Sequence, residues 1–196
     1  EYFDPSIMKE LGDLGLIGAT FTEYDLPGIS SVAQGLIEKE IDKVDGGIRS
    51  SYAASMSLCM FPVYKFANKS IKDEIIPKMA TGEYIGAFGL TEPNHGSDPS
   101  SMESKAKDKG DHFLLNGTKT WITNAPISEV FVVWAKDDNN VIRGFVLRKG
   151  MEGLSTTKIE NKLSLRASST GMIFMEDLKV PKENMLNTKG MKGVFQ

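Results

Sequence analysis

Arg49, Ser50, Trp121, Thr123 and the hydroxyl-rich run that follows Leu90 are the residues of this chain with chemistry to offer. In "GLTEPNHGSDPSSM" (residues 89–102) an apolar stretch breaks at Thr91-Glu92-Pro93 and gives way to asparagine, histidine, glycine and serines. Turn formation accounts for part of that composition. Gly96 and Ser97 add backbone N–H groups able to approach phosphate oxygens, because glycine has no side chain to block them. In "KTWITNA" (residues 119–125) Trp121 and Thr123 lie two apart, on one face of a strand, with Ile122 on the other. An indole beside a hydroxyl suits a flat heteroaromatic ligand. In "DGGIRSSYA" (residues 45–53) Arg49 and Ser50 follow two glycines, where a guanidinium can clamp a carboxylate through paired hydrogen bonds. Each stretch also has a plainer reading. The loop is a turn, Trp121 is core, and Arg49 is an ion-pair partner of Asp42 or Asp45. Taken together they describe a site for a flat, phosphate-bearing ligand and an acid.

The elements that must position these residues separate into two kinds. Residues 1–83 carry helical signals: Asp4-Pro5 opens a helix with Ile7, Met8, Leu11 and Leu14 on one face, and Ser30 or Ser31 caps a second bearing Val32, Leu36, Ile37 and Val44. Gly46-Gly47 interrupts the pattern, a third helix runs over about 49–67, and a fourth over 70–80 ends at Gly82. From Tyr84 the period becomes two. "YIGAFGLTE", "ESKAKDKG", "HFLLNGTKTWITNA", "VFVVWAKD", "VIRGFVLRKG", "LSTTKI" and "GMIFMEDLKV" read as strands joined by turns, which argues an antiparallel barrel or sandwich over 84–190. The expected fold class is α+β, a helical domain followed by an antiparallel β-barrel domain, and 196 residues suit one domain or two small ones.

Several function classes are excluded on sequence grounds. The formal charge of -3 gives no electrostatic reason to expect nucleic acid or an anionic membrane, and no apolar run is long enough for a membrane-spanning helix. Neither glycine-rich nucleotide fingerprint is present, there is no G-x-S-x-G elbow, and His95 and His112 lack metal-ligand spacing. Cys59, the one cysteine, sits in "SLCMF" as an expected core residue rather than a nucleophile. The chain begins at Glu1, consistent with a lost leader or a truncated start.

"FGLTEPNHGSDPSSM" and "NGTKTWITNA" resemble the two flavin-loop signatures of the acyl-CoA dehydrogenase family, over nearly the whole chain. "VDGGIRSS", "GSDPSSM" and "LSLRASSTGMI" most resemble the glutaryl-CoA dehydrogenases within it. The resemblance implies a helical N-terminal domain, a β middle domain, and a C-terminal helical bundle that would begin near "KGMKGVFQ". It implies FAD lying along residues 88–97, with Phe88, Gly89, Leu90, Thr91, Gly96, Ser97, Trp121, Ile122 and Thr123 as its binding residues. Leu90 and Thr91 would lie near the flavin ring, Thr123 near its N5 edge, and Ser97 would reach the pyrophosphate and the CoA side of the substrate. Arg49 and Ser50 would hold the far carboxylate of glutaryl-CoA. The catalytic base is implied to be a glutamate of the C-terminal domain rather than Glu92. The implied reaction is α-proton abstraction with β-hydride transfer to FAD, followed by decarboxylation to crotonyl-CoA, within lysine and tryptophan degradation. An electron-transferring flavoprotein and a homotetramer are implied too, in the cytoplasm of a bacterium or the mitochondrial matrix of a eukaryote. Ile48, Ala53 and Phe61 depart from the tyrosine, serine and histidine usual in those relatives, which removes polar groups from the carboxylate end.

Overall fold

The computed structural model of the chain describes residues 3–195; Glu1, Tyr2 and Gln196 of the sequence reading above lie outside the described residues. The helices come first: α1 (Ser6–Asp13), α2 (Ser31–Val44), α3 (Gly46–Ala53), a π-helical stretch (Ala54–Met60), α4 (Phe61–Phe66) and α5 (Lys69–Ala80). Their starts follow the capping chemistry of the sequence. Ser30 Oγ accepts from the Ala33 N–H at 3.2 Å and Asn68 Oδ1 from the Ile71 N–H at 3.1 Å, each meeting a donor that the first turn leaves unpaired.

Two helix expectations are corrected. Gly46-Gly47 does not interrupt a helix but opens one, because the Asp45 carboxylate accepts the Gly47 and Ile48 N–H groups at 2.6 and 3.3 Å. The expected third helix is continuous only as three geometries in succession, with the π-helical stretch in its middle. On α2, Val32, Leu36 and Val44 are exposed, while Gln34 turns inward and donates to the Tyr52 hydroxyl at 3.0 Å. That hydroxyl in turn donates to the Leu16 carbonyl at 2.8 Å. The buried Gln34 amide, held through its Nε2 donation, faces the core on this helix where its valines and leucine do not.

All seven strand segments form: β1 (Gly86–Gly89), β2 (Lys105–Asp108), β3 (His112–Thr123), β4 (Val130–Lys136), β5 (Ile142–Arg148), β6 (Leu154–Lys158) and β7 (Thr170–Pro181). They make one sheet in the order β1-β4-β2-β3-β7-β6, with β5 along the other edge of β4. The sheet is mixed rather than purely antiparallel. β1 pairs parallel with β4, Gly86 opposite Val130 through Gly89 opposite Val133, because the chain crosses two other strands before returning beside β1. A short helix, α6 (Gly190–Val194), closes the described chain.

β4 shows how the layers are held. Val130, Val132 and Trp134 face the helices, and Phe131, Val133 and Ala135 face the interior of the curled sheet. Period-two alternation thus feeds two cores from one strand, which is why β4 is apolar throughout. Cys59 is fully buried in the helical core, and burial pushes its thiol up to about 12, so it is not a nucleophile.

Candidate functional site

β3 pairs with β7 in even register from Gly117 opposite Met175 to Lys119 opposite Ile173; the next pair is Ile122 with Gly171, so one extra residue is inserted between them. This bulge carries Trp121 at φ +58°, in left-handed backbone that a bulky aromatic seldom adopts. Trp121 emerges 63 % exposed, Ile122 is buried and Thr123 half-buried. The core reading of Trp121 is therefore set aside. The bulge is what aims its ring outward.

Opposite lies the end of β1. The Thr120 N–H donates to the Thr91 carbonyl at 2.9 Å, which holds the two ring-bearing segments edge to edge. Between them and α3 opens a cleft of about 270 Å³, lined by Phe88, Leu90, Thr91, Trp121, Ile122, Thr123, Arg49 and Ser50, with Ala53, Ala54 and Leu58. The structure thus gathers eight of the residues singled out in the sequence around one opening. Ala53 was named only as a departure at the carboxylate end, and Leu58 and Ala54 were not singled out. The π-helical turn directs Leu58, and only its placement shows that this residue is a wall. Leu58 and Phe88 also border a larger apolar cavity, about 380 Å³, that adjoins the cleft.

The helix side is brought in by glycine. A Cβ on Gly47 would stand 2.7 Å from the Ser168 backbone nitrogen, so the loop before β7 seats against α3 only because that side chain is missing. Arg49, two residues on, reaches the cleft, and its Nε donates to Asp42 Oδ1 at 3.1 Å. Of the two plain partners weighed for Arg49, Asp42 is the one engaged; Asp45 caps the helix instead.

Gly89, Gly96 and Ser97 are placed differently. Gly89 is buried, and a Cβ there would come within 3.0 Å of Val133 and 3.3 Å of the Lys119 stem. Gly96 and Ser97 are exposed in the loop beyond the cleft and do not line it. A Cβ on Gly96 would meet nothing closer than a methyl of Thr91 at 4.0 Å, so the backbone there is open to an approaching group.

Glu92 is not poised as a base. It is buried, and its carboxylate accepts from Lys119 Nζ at 2.8 Å, the Ser104 N–H at 3.0 Å and the Glu103 N–H. Burial pushes its pKa upward, but the donors from Lys119, Ser104 and Glu103 outweigh that and hold it at about 2. Burial likewise drives Lys119 down, to about 8, against the pull of Glu92. No carboxylate or imidazole is among the residues that line the cleft.

The sequence model of the acyl-CoA dehydrogenase N-terminal domain matches residues 1–83, and that of the middle domain matches residues 87–178. Mitochondrial isovaleryl-CoA dehydrogenase of Pongo abelii is 41% identical over 194 residues, covering 95% of this chain and 46% of the relative. A glutaryl-CoA dehydrogenase from Mycobacterium smegmatis, solved in complex with FADH2, superposes with TM-score 0.96 at 36% identity, over 98% of this chain and 50% of that one. A chain from work on the electron transferring flavoprotein of Acidaminococcus fermentans superposes with TM-score 0.91 at 37% identity, over 97% and 52%. The chain spans about half the length of the curated relatives it matches.

Proposed function

The chain belongs to the acyl-CoA dehydrogenase family, and from that premise we propose that its protein is an FAD-dependent dehydrogenase of glutaryl-CoA. The observation that carries this reading is the single cleft in which Leu90, Thr91, Trp121, Ile122 and Thr123 face Arg49 and Ser50. The residues fit FAD. An indole left largely exposed in left-handed backbone, beside two threonine hydroxyls and apolar side chains, is a surface that a flat ring would cover. When bound, FAD supplies the hydride acceptor that the side chains lack.

The chain's own part is binding and orientation. Trp121, Ile122 and Thr123 would form one wall against the ring, and Phe88, Gly89, Leu90 and Thr91 the adjoining one. The open backbone of Gly96 and Ser97 would take the pyrophosphate, with Ser97 also toward the CoA side. Arg49 and Ser50 would hold the distal carboxylate. The α proton would go to a glutamate carried outside these residues, and loss of carbon dioxide to give crotonyl-CoA would follow. An electron-transferring flavoprotein would receive the electrons, from a homo-oligomeric enzyme. Replacing Trp121 tests the wall: Trp121→Ala is expected to weaken FAD binding by roughly tenfold or to shift the visible spectrum of bound flavin, with stacking worth about 0.5–1.5 kcal/mol. Unchanged affinity and an unchanged spectrum would remove Trp121 from the wall.

A second reading has its own observation. Arg49 Nε is engaged by Asp42, and Ala53 and Leu58 beside it are apolar, which favours a short apolar acyl group. Arg49→Ala in the full-length protein separates the two. A charge-assisted pair is worth about 1.5–3 kcal/mol, so kcat/KM for glutaryl-CoA should fall roughly 10- to 100-fold while that for an unbranched acyl-CoA of equal length changes little. Equal losses for both substrates would make Arg49 a structural partner of Asp42 and leave the apolar reading standing.

A further inference from the structure

Residues 120–123 pose a mechanical problem. Thr120 and Trp121 drop out of the β7 ladder before Ile122 rejoins it opposite Gly171; Trp121 is held in left-handed backbone with its ring exposed to solvent, yet the stretch must present Trp121 and Thr123 in one orientation. A bulge by itself bends a strand and leaves a residue unpaired. Something else must keep this one still.

Two fully buried polar residues flank it. Lys119, just before the bulge, is completely enclosed and sends Nζ across to the Leu90 carbonyl at 3.2 Å as well as to Glu92. Asn124, just after it, is likewise enclosed and left-handed, at φ +68°. Its Nδ2 donates to the Ser51 carbonyl on α3 at 2.8 Å and to the Gly86 carbonyl on β1 at 3.1 Å, while its N–H donates to the Ser169 carbonyl at 2.6 Å. Its Oδ1 is buried with no hydrogen-bond partner among the described residues. A buried amide that leaves its acceptor unpaired is costly, so the use of the side chain lies in its two donations. Gly86 and Leu90 bracket β1, so the two side chains seize opposite ends of the same strand.

We infer that Lys119 and Asn124 are the positioning residues of the cleft. They form a two-ended clamp that bolts residues 120–123 to β1 and, through Ser51, to the helix bearing Arg49. The clamp keeps Trp121 and Thr123 in fixed relation to Leu90, Thr91 and Arg49. What it positions them for rests on the flavin reading above; the clamp itself is measurable with no ligand present.

Amide exchange on the unliganded wild-type chain is the first arm. The Thr120 and Asn124 amides should exchange as slowly as those of Val132 and Val146 in the core strands, despite the exposed ring between them. Exchange at the rate of surface loops would overturn the clamp without any variant. Asn124→Gly is the second arm, since glycine keeps the left-handed backbone while removing the side chain and with it both donations. It should speed exchange at Thr120 and Asn124 by about ten- to a hundredfold relative to Val132 and Val146. With 5-fluorotryptophan incorporated, the Trp121 resonance should shift or broaden while that of the buried Trp134 stays. A merely structural asparagine would instead speed all of these amides together or move both tryptophan signals, and either result would overturn the proposal. Failure of the wild-type chain to take up FAD would count against the flavin reading and leave these two measurements unaffected.

Discussion

At pH 7, Lys119→Met is expected to cost about 3–5 kcal/mol of folding stability, because it strands the Glu92 carboxylate in the interior without its ammonium. For a chain of this size that is a fall in melting temperature of roughly 6–20 °C. Methionine keeps the volume of the stem, so the deficit reports the charge and not a cavity. The pH dependence has a definite sign. In the parent chain Glu92 is held at about 2, below its ordinary value of 4.5. Its ionised form therefore contributes stability that is full above pH 4.5 and is lost as the pH falls toward 2. In the variant the same carboxyl is buried without its counter-charge, so its pKa rises and acid stabilises the fold by neutralising it. Both trends shrink the deficit as pH falls, and urea titrations at pH 7 and pH 4 measure it. Lys119→Met with Glu92→Gln should recover part of the loss, since a buried pair replaced at both ends is often nearly neutral. A deficit below about 1 kcal/mol at pH 7, or one that grows in acid, would show that the pair is not holding the loop base.

The second large effect concerns catalysis by these residues alone. Mixed anaerobically with FAD and glutaryl-CoA, the 196-residue chain is expected to leave the oxidised flavin band in place on a catalytic timescale. Among the described residues, those that line the cleft include no carboxylate or imidazole, Asp42 is paired with Arg49, and Glu92 is locked by Lys119 and two backbone N–H groups. A general base is typically worth about 10²–10⁴-fold, and loss of a donor to the thioester oxygen about 10²–10³-fold more. Bleaching of the band would mean that a base lies within these residues, and Glu92→Gln would be the variant to make next. A full-length protein carrying Glu92→Gln should keep its pH–rate profile if Glu92 only anchors the loop.

Much of this architecture is legible in the residues themselves because its causes are local. Short runs rich in β-branched and aromatic residues, set off by turn signals, mark the strands, from the continuously apolar "VFVVWAKD" with both faces buried to the half-exposed "LSTTKI". Ser30, offered with Ser31 as a cap, announces its helix start through a hydrogen bond three residues long. Residues of the cleft are legible too, since an indole stands beside a hydroxyl in "KTWITNA" and Arg49 stands alone among small neighbours, although a bulge rather than the strand period aims Trp121. What the sequence leaves open depends on partners far along the chain. Nothing in the sequence marks Lys119 as buried; its partners Leu90 and Glu92 lie 29 and 27 residues away. Gly47 looks like a helix breaker until the Ser168 backbone, packed against it, requires a residue with no side chain. Trp121 taken by itself reads as core sooner than as wall, until a one-residue register shift against β7 turns it to solvent. Local periodicity determined which segments are strands and helices; burial, register and the pairing of buried polar groups are properties of the assembled layers, and only the tertiary structure decided them.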